Sequence, residues 1–442
     1  MDNNKKQLFK LKNGIRVIII PMKTLLTNIS VNMLLGQNHE KYNEMEITHY
    51  MEHLMARFTS KKHNDHKQIS KELNKRGAIT NAYVDDYATC FYIEGLYKDI
   101  EYYIDILSNT ISDFHLEKSI MKQEKLAVVQ ELKKFLADPE YLFDFKIWKY
   151  MYSKYAYQYD INKHIKKVHT YTSEDIYKFI KNHVLPQNTI ISITCPIDKC
   201  NETANLARKY FSFPNTKSHI KIQYPLYQHD NKGLKILYVQ NKYKKITNAN
   251  VQIVVDNTIK HLSKEHFSLL FLDEILFNFE TGIFYKKLRD ELGLIYNISI
   301  NFDIDMVNPK SSSYSIKTSA EQTNVAKLIN AILDIVSNLT LNDNEIENGK
   351  TKFIVKYEYQ KFNGLTSYNK HYVEYLLHKI PIVERSDIKA MSLDVTNRDV
   401  QKALNKFKKE VLTKGLIFYY STKNQNQKIK SLIKIPAKYI SI

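Results

Sequence analysis

Two histidines, His49 and His53, stand four residues apart with Glu52 beside the second. On a helix, positions i and i+4 share a face and i+3 lies next to them. Both imidazoles could therefore hold one metal ion while the Glu52 carboxylate reaches the same point. Neutral imidazole suits zinc, and an open catalytic site takes three protein ligands and keeps a place for water. A carboxylate beside such a site can take the water's proton, which is the chemistry of amide hydrolysis. The order His-x-x-Glu-His is the inverted form of the better-known His-Glu-x-x-His. Stripped of context, the same five residues would be an exposed polar helix with two solvated histidines.

A third ligand must come from elsewhere in the chain. The spacing predicts a helix from Glu117 to Phe135, with Ile120, Glu124, Ala127 and Glu131 on one face. Acids two turns apart on a partly apolar face are unusual, because Glu is normally solvated. Glu131 is the candidate that completes the metal site.

The elements that must position these residues follow from the pattern around them. Leu8 to Pro21 predicts a hairpin, with Asn13-Gly14 as a two-residue turn between apolar runs. A strand is expected from Asn28 to Leu35, then the helix with His49 and His53, then a helix over 67–76 ending at Gly77. Thr80 to Glu94 reads as one strand and Leu96 to Thr110 as a helix. A capping signal at Thr172 opens a helix to His183, and Ile190 to Thr194 is a strand.

Residues 215–232 are polar and carry the strongest linker signals. After them, strands at Gly233–Val239 and Ala249–Val255 and an apolar helix at Phe267–Phe277 repeat the opening order of strand, strand, helix. The second copy lacks His-x-x-Glu-His. Later helices are expected over 322–338, 343–360 and 396–407, with strands near 295–303, 312–318 and 416–420. The fold class is therefore α+β. Two homologous modules are expected, 1–222 binding metal and 223–442 without metal, each a mostly antiparallel sheet packed by helices.

A chain of 442 residues is too long for one ordinary core. No apolar run has the length of a membrane span. The first residues, Met1 to Gln7, carry neither an apolar leader core nor an Arg of a transit peptide. Cys90, Cys195 and Cys200 are too few for a disulfide framework and read as free thiols. A cytoplasmic or other reducing compartment is the expectation. The net charge of +18 raises nucleic-acid binding. The lysines, however, are spread along the whole chain and Arg, the usual base-reading residue, is scarce.

With these residues in place, the chain resembles the pitrilysin/insulinase family of zinc peptidases, closest to its short members of the mitochondrial processing peptidase β type. His49, Glu52 and His53 match the family signature, and Glu131 and Glu124 stand where the family has a downstream Glu ligand and an earlier Glu. Asn81-Ala82, then Thr89, match the substrate-facing strand, and Arg289 and Tyr296 match an Arg and a Tyr that reach the bound peptide. Three features depart from the family. Glu46 occupies the place of a glycine before the first His, Val84 stands where Thr is usual, and no glycine-rich loop precedes Phe284.

The resemblance implies a zinc endopeptidase acting on peptides or extended protein segments, with Zn2+ held by His49, His53 and Glu131. Glu52 would be the general base and Glu124 the acceptor that orients a ligand imidazole. Asn81 and Ala82 would offer edge-strand hydrogen bonds. Arg289 and Tyr296 would steady the peptide or its oxyanion. Four such modules close as a clamshell in the family, and this chain supplies two. A homodimer, or a heterodimer with an inactive relative, is therefore implied. The competing readings are an inactive structural subunit of the same fold and a basic nucleic-acid-binding protein.

Overall fold

The run Val17-Ile18-Ile19-Ile20 is apolar on alternate and intervening positions alike, so its strand needs cover on both faces. The computed structural model, which describes residues 5–152, 161–212, 232–242, 247–359 and 364–442, shows where that cover comes from. Strands β1 (Gln7–Lys10), β2 (Arg16–Met22), β3 (Leu26–Met33), β4 (Ile79–Val84), β5 (Thr89–Leu96) and β6 (Thr189–Pro196) form one sheet in the order β1-β2-β6-β3-β5-β4. Only β2 and β6 run parallel; the other pairs are antiparallel. One face of this sheet presents Ile18, Ile20 and Ile190, with Leu34 just past β3, to Tyr372, Val373, Leu376 and Leu377, which lie on the helix Gly364–Leu377.

Helices α1 (Ile47–Met55), α2 (His66–Lys75), α3 (Ile100–Ser112), α4 (Lys118–Ala137), α5 (Pro139–Met151), α6 (Ile161–Thr170), α7 (Ser173–His183) and α8 (Cys200–Tyr210) follow in the first half. Asp65 caps α2 by accepting from Lys67 and Gln68 N–H, and Gly77 takes φ +63° just past its end, as a C-terminal cap requires. Thr172 and Asp175 form the expected capping box of α7.

The second sheet has β7 (Leu234–Gln240), β8 (Asn248–Asn257), β9 (Ile298–Asp303), β10 (Ser312–Glu321), β11 (Leu416–Ser421) and β12 (Ala437–Ser441), in the order β12-β7-β11-β8-β10-β9. Replacing β2, β6, β3, β5 and β4 by β7, β11, β8, β10 and β9 reproduces the first order, so the repeat is real at the level of topology. In place of α1 stands α9 (Lys264–Leu276). One face of this sheet, including Ile236, Val251, Ile253 and Ile417, packs in the main helical core. The other, with Leu237, Val239, Val254, Leu416 and Phe418, is covered by Phe143, Ile147 and Met151 of α5.

The chain thus divides into two units that are each discontinuous. One contains residues 1–135, 159–223 and 362–382, and the other residues 136–158, 224–361 and 383–442. The cut expected between 222 and 223, and most of the polar linker, lie outside the described residues. A single cut does not express the two exchanged segments, which go where their apolar side chains find a sheet face.

Two local expectations are corrected. The hairpin does not close on a two-residue turn: the β1–β2 ladder ends at Lys10↔Arg16, and Leu11 N–H and Ile15 O add one more bond around Lys12-Asn13-Gly14. Gly14, at φ +104°, is the residue that allows this wider loop. Thr80 to Glu94 is two strands, because Asp85 Oδ1 accepts from Tyr87 and Ala88 N–H and turns the chain.

Candidate metal centre

Helix α1 is only nine residues long, too short to be stable in isolation, and is held by burial of nearly every side chain. It begins abruptly. Glu46, the preceding residue, has φ +65°, a left-handed conformation rare for Glu, and its side chain does not cap the helix. The buried Glu40 does so instead: its Oε2 accepts from Glu46 N–H (2.9 Å) and its Oε1 from Thr48 N–H (2.8 Å).

Helical spacing brings His49 and His53 together, with ring centroids 4.9 Å apart. Helix α4 crosses them with Glu124 and Glu131 two turns apart on one face. His49 Nε2 and His53 Nε2 each lie 3.5 Å from Glu131 Oε2. Among the described residues, His49, His53 and Glu131 are the group whose ligand atoms gather closely enough to hold a metal ion, all within 4.8 Å of one another. The far side of each ring is engaged by a carboxylate. His49 Nδ1 lies 2.9 Å from Glu46 Oε2 and His53 Nδ1 lies 3.1 Å from Glu124 Oε2. Each Nδ1 thus meets a carboxylate on the far side, and each Nε2 is the nitrogen turned to Glu131. Two imidazole nitrogens and one carboxylate oxygen, with both imidazoles oriented from behind, are the donor set of an open zinc site.

Burial and the facing charged groups set how each of these side chains holds its proton. Burial works against a charged His49, yet hydrogen bonds with Glu131 and Glu46 push its pKa up to about 10. Burial likewise raises Glu46, but His164 and His49 hold it down at about 2. Burial also raises Glu124, and the bonds from His53 and Arg57 hold it below the usual carboxylate range. Glu52 is buried one position before His53, and burial lifts its pKa against the pull of His53 and His49. Its Oε2 lies 3.8 Å from His53 Nε2, next to the nitrogen that would bind the ion.

Glu40 makes a separate prediction. Burial first, then the charge of Glu46, push its pKa up to about 8 from an ordinary value of 4.5. A raised folded-state pKa means the fold holds a proton that the unfolded chain releases between these values. Its contribution to stability is full below about pH 4.5 and is lost as pH rises through about 8. The advantage of wild type over Glu40→Gln in thermal melts should therefore shrink between pH 5 and pH 8, by about 1.4 kcal/mol per pH unit at the steepest. A pH-independent gap would contradict the assignment.

The substrate candidates fall in both units. Asn81 and Ala82 sit on β4, the edge strand of the first sheet, and Asn81 is exposed. Asn81 Oδ1 accepts from Ala82 N–H at 2.9 Å. Arg289 and Tyr296 belong to the second unit. There the Arg289 guanidinium lies 4.9 Å from the ring centroids of both Tyr285 and Tyr296 and donates to the Tyr285 hydroxyl and, at 3.1 Å, to Tyr296 O.

Sequence reasoning missed three participants. Arg57 donates from Nε to Glu124 Oε1 at 2.7 Å and again from its terminal nitrogen; its place one turn after His53 was a legible signal. Glu40 had no such signal. Nor did His164, on the unexpected helix α6, whose Nδ1 lies 2.7 Å from Glu46 Oε1.

The fold is two sheet-and-helix modules, one of which gathers donors that could hold a metal ion. Residues 19–163 match the insulinase model of peptidase family M16, and residues 170–353 match that family's inactive-domain model. The chain belongs to the insulinase family of peptidases. It is 22% identical over 183 residues to a Bacillus subtilis protein described as an uncharacterized zinc protease, YmxG, covering 41% of this chain and 44% of that one. It is 28% identical over 127 residues to subunit 1 of the mitochondrial cytochrome b-c1 complex of Bos taurus, covering 29% and 26%. The chain spans about half the length, or less, of the first curated relatives it matches. The crystal structure of a protease from Helicobacter pylori superposes with a TM-score of 0.78 at 16% identity, covering 95% of this chain and 99% of that one, a likeness of fold. Among the described residues, no helix is long and apolar enough to cross a membrane.

Proposed function

We propose that the chain is a zinc-dependent endopeptidase that hydrolyses peptides or extended protein segments. The observation that carries this reading is the convergence of His49 Nε2 and His53 Nε2 on Glu131 Oε2, 3.5 Å from each, with Glu52 beside them. Zinc held by these three residues would polarise the scissile carbonyl and the attacking water. Glu52 takes the proton of that water and returns it to the leaving amine; a carboxyl lifted by burial is suited to both transfers. Glu124, fixed by Arg57, holds the His53 ring in the orientation it needs. The β4 edge at Asn81 and Ala82 offers main-chain hydrogen bonds to an extended substrate. Arg289 and Tyr296 steady the peptide or the developing oxyanion. The three cysteines are free and buried, in keeping with a reducing compartment.

The test pairs metal analysis of the purified chain with a quenched-peptide assay, with and without chelator. Stoichiometric zinc and chelator-sensitive cleavage are expected; absence of both would reject the reading. The likeness to the bovine respiratory subunit favours a second reading, a noncatalytic structural subunit. Zinc-free protein that forms a stable complex with a partner and cleaves no peptide would establish it.

Each chain supplies two modules, one with the metal cluster and one with Arg289 and Tyr296. A homodimer in which these two residues serve the partner's metal site is the assembly we propose, with a heterodimer as the alternative. Mixing Glu52→Gln subunits with Arg289→Ala subunits should then restore activity, since one site of the mixed dimer keeps both residues. No recovery, with subunit exchange verified, would place the residues in cis.

A further inference from the structure

Glu46 occupies a position that suits glycine. Its φ of +65° carries a steric penalty for any side chain with a Cβ. The conformation is held from three sides. Glu40 accepts from Glu46 N–H, the Tyr171 hydroxyl donates to Met45 O at 2.7 Å, and His164 Nδ1 donates to Glu46 Oε1 at 2.7 Å. Strain of this kind persists only where the surroundings over-determine it, and it gathers at working sites. The side chain it delivers is buried, does nothing for the helix terminus, and puts Oε2 at 2.9 Å from His49 Nδ1.

The other ligand imidazole shows the same construction. His53 Nδ1 meets Glu124, and Glu124 is held by Arg57. The two halves of the cluster therefore match: imidazole, carboxylate, then a basic side chain that fixes the carboxylate. The Glu124 side comes from helix α4; the Glu46 side comes from the residue before α1 and from α6.

We propose that Glu46, held by His164, is a positioning residue that orients His49 as a ligand for the metal ion. It fixes the tautomer and the rotation of the ring, so that Nε2 faces Glu131. The inference rests on the metal reading above but does not need catalysis. His164 acts through Glu46, whose Oε1 it meets.

Glu46→Gly separates this role from a structural one, because glycine takes φ +65° without strain. Zinc affinity is measured on the full chain by competition with a chromophoric chelator. The melting temperature of the metal-free protein and the visible spectrum of the cobalt-substituted protein are recorded alongside. Glu46→Gly should melt within a few degrees of wild type yet bind zinc about 10–100-fold more weakly, with altered cobalt bands. Glu46→Gln, which keeps an acceptor at the same place, should lose less. His164→Gln should weaken zinc binding in the same direction and by less than Glu46→Gly.

Zinc affinity within twofold of wild type in Glu46→Gly, with an unchanged cobalt spectrum, would overturn the proposal while leaving the metal site intact. A large drop in melting temperature with unchanged affinity would overturn it too, by making Glu46 structural. Wild-type protein that binds no zinc would instead reject the metal reading itself, and this inference with it.

Discussion

Glu52→Gln should bind zinc as tightly as wild type and cleave a quenched peptide about 10³-fold more slowly. The expectation follows from where Glu52 sits. It contributes no atom to the group of His49, His53 and Glu131, so the ligand set survives. The amide is nearly the same size as the buried carboxyl, so the packing of α1 survives as well. What is lost is the group that accepts and returns the proton, and general acid–base catalysis is typically worth about 10²–10⁴-fold. Near-normal turnover in the variant would reject the assigned mechanism, whatever the metal content. Loss of zinc would show instead that Glu52 belongs to the ligand set.

The second large effect separates two acids on one helix. Glu131→Gln should lose most of its zinc on dialysis, because the amide is a poor replacement for the ligand oxygen that both Nε2 atoms face. Glu124→Gln should retain zinc with about 10–100-fold lower affinity and reduced activity, since Glu124 touches the far side of the His53 ring. Glu124 is buried and bonded to Arg57, so its variant should also melt earlier, whereas the more exposed Glu131 should change the metal-free melt less. Full and equal zinc occupancy in both variants would remove Glu131 from the site.

Much of this was legible in the residues. The His-x-x-Glu-His pattern needs only helical spacing to form half a site, and Glu124 and Glu131 need only two turns of a second helix to share a face. The internal repeat showed as strand, strand, helix after residue 233, and the topology of the second sheet bears it out. Other features were not legible because they depend on the third dimension. His164 joins the cluster across 118 positions of sequence to Glu46. The carboxylate of Glu40 reaches the helix start from a preceding loop, where no spacing rule applies. Helix α5 shows no clean apolar stripe, since Phe143, Ile147 and Met151 are its buried residues among exposed or half-buried aromatics. The split of 80–94 into two strands was hidden because Thr, Tyr and aromatic residues continue on both sides of Asp85-Asp86, and two acids are a quieter turn signal than glycine or proline.

The exchange of α5 and the helix Gly364–Leu377 between the units makes the chain inseparable at its middle. A fragment ending near residue 222 would keep the metal ligands but lack the helix that covers Ile18, Ile20 and Ile190. Tyr372, Val373, Leu376 and Leu377 would be missing from it, at about 1.5–3 kcal/mol each, a sum comparable to the whole stability of an ordinary domain. The complementary fragment would lack α5 and leave Leu237, Val239 and Phe418 bare. The first sheet cannot finish folding before residues 364–377 have been synthesised, whereas α5 is already made when the strands of the second sheet appear. Nascent protein would spend that interval with a sticky sheet face, open to chaperones and to mispairing. A proteolytic nick in the middle, by contrast, would leave two pieces laced to each other twice, and the nicked protein should stay whole.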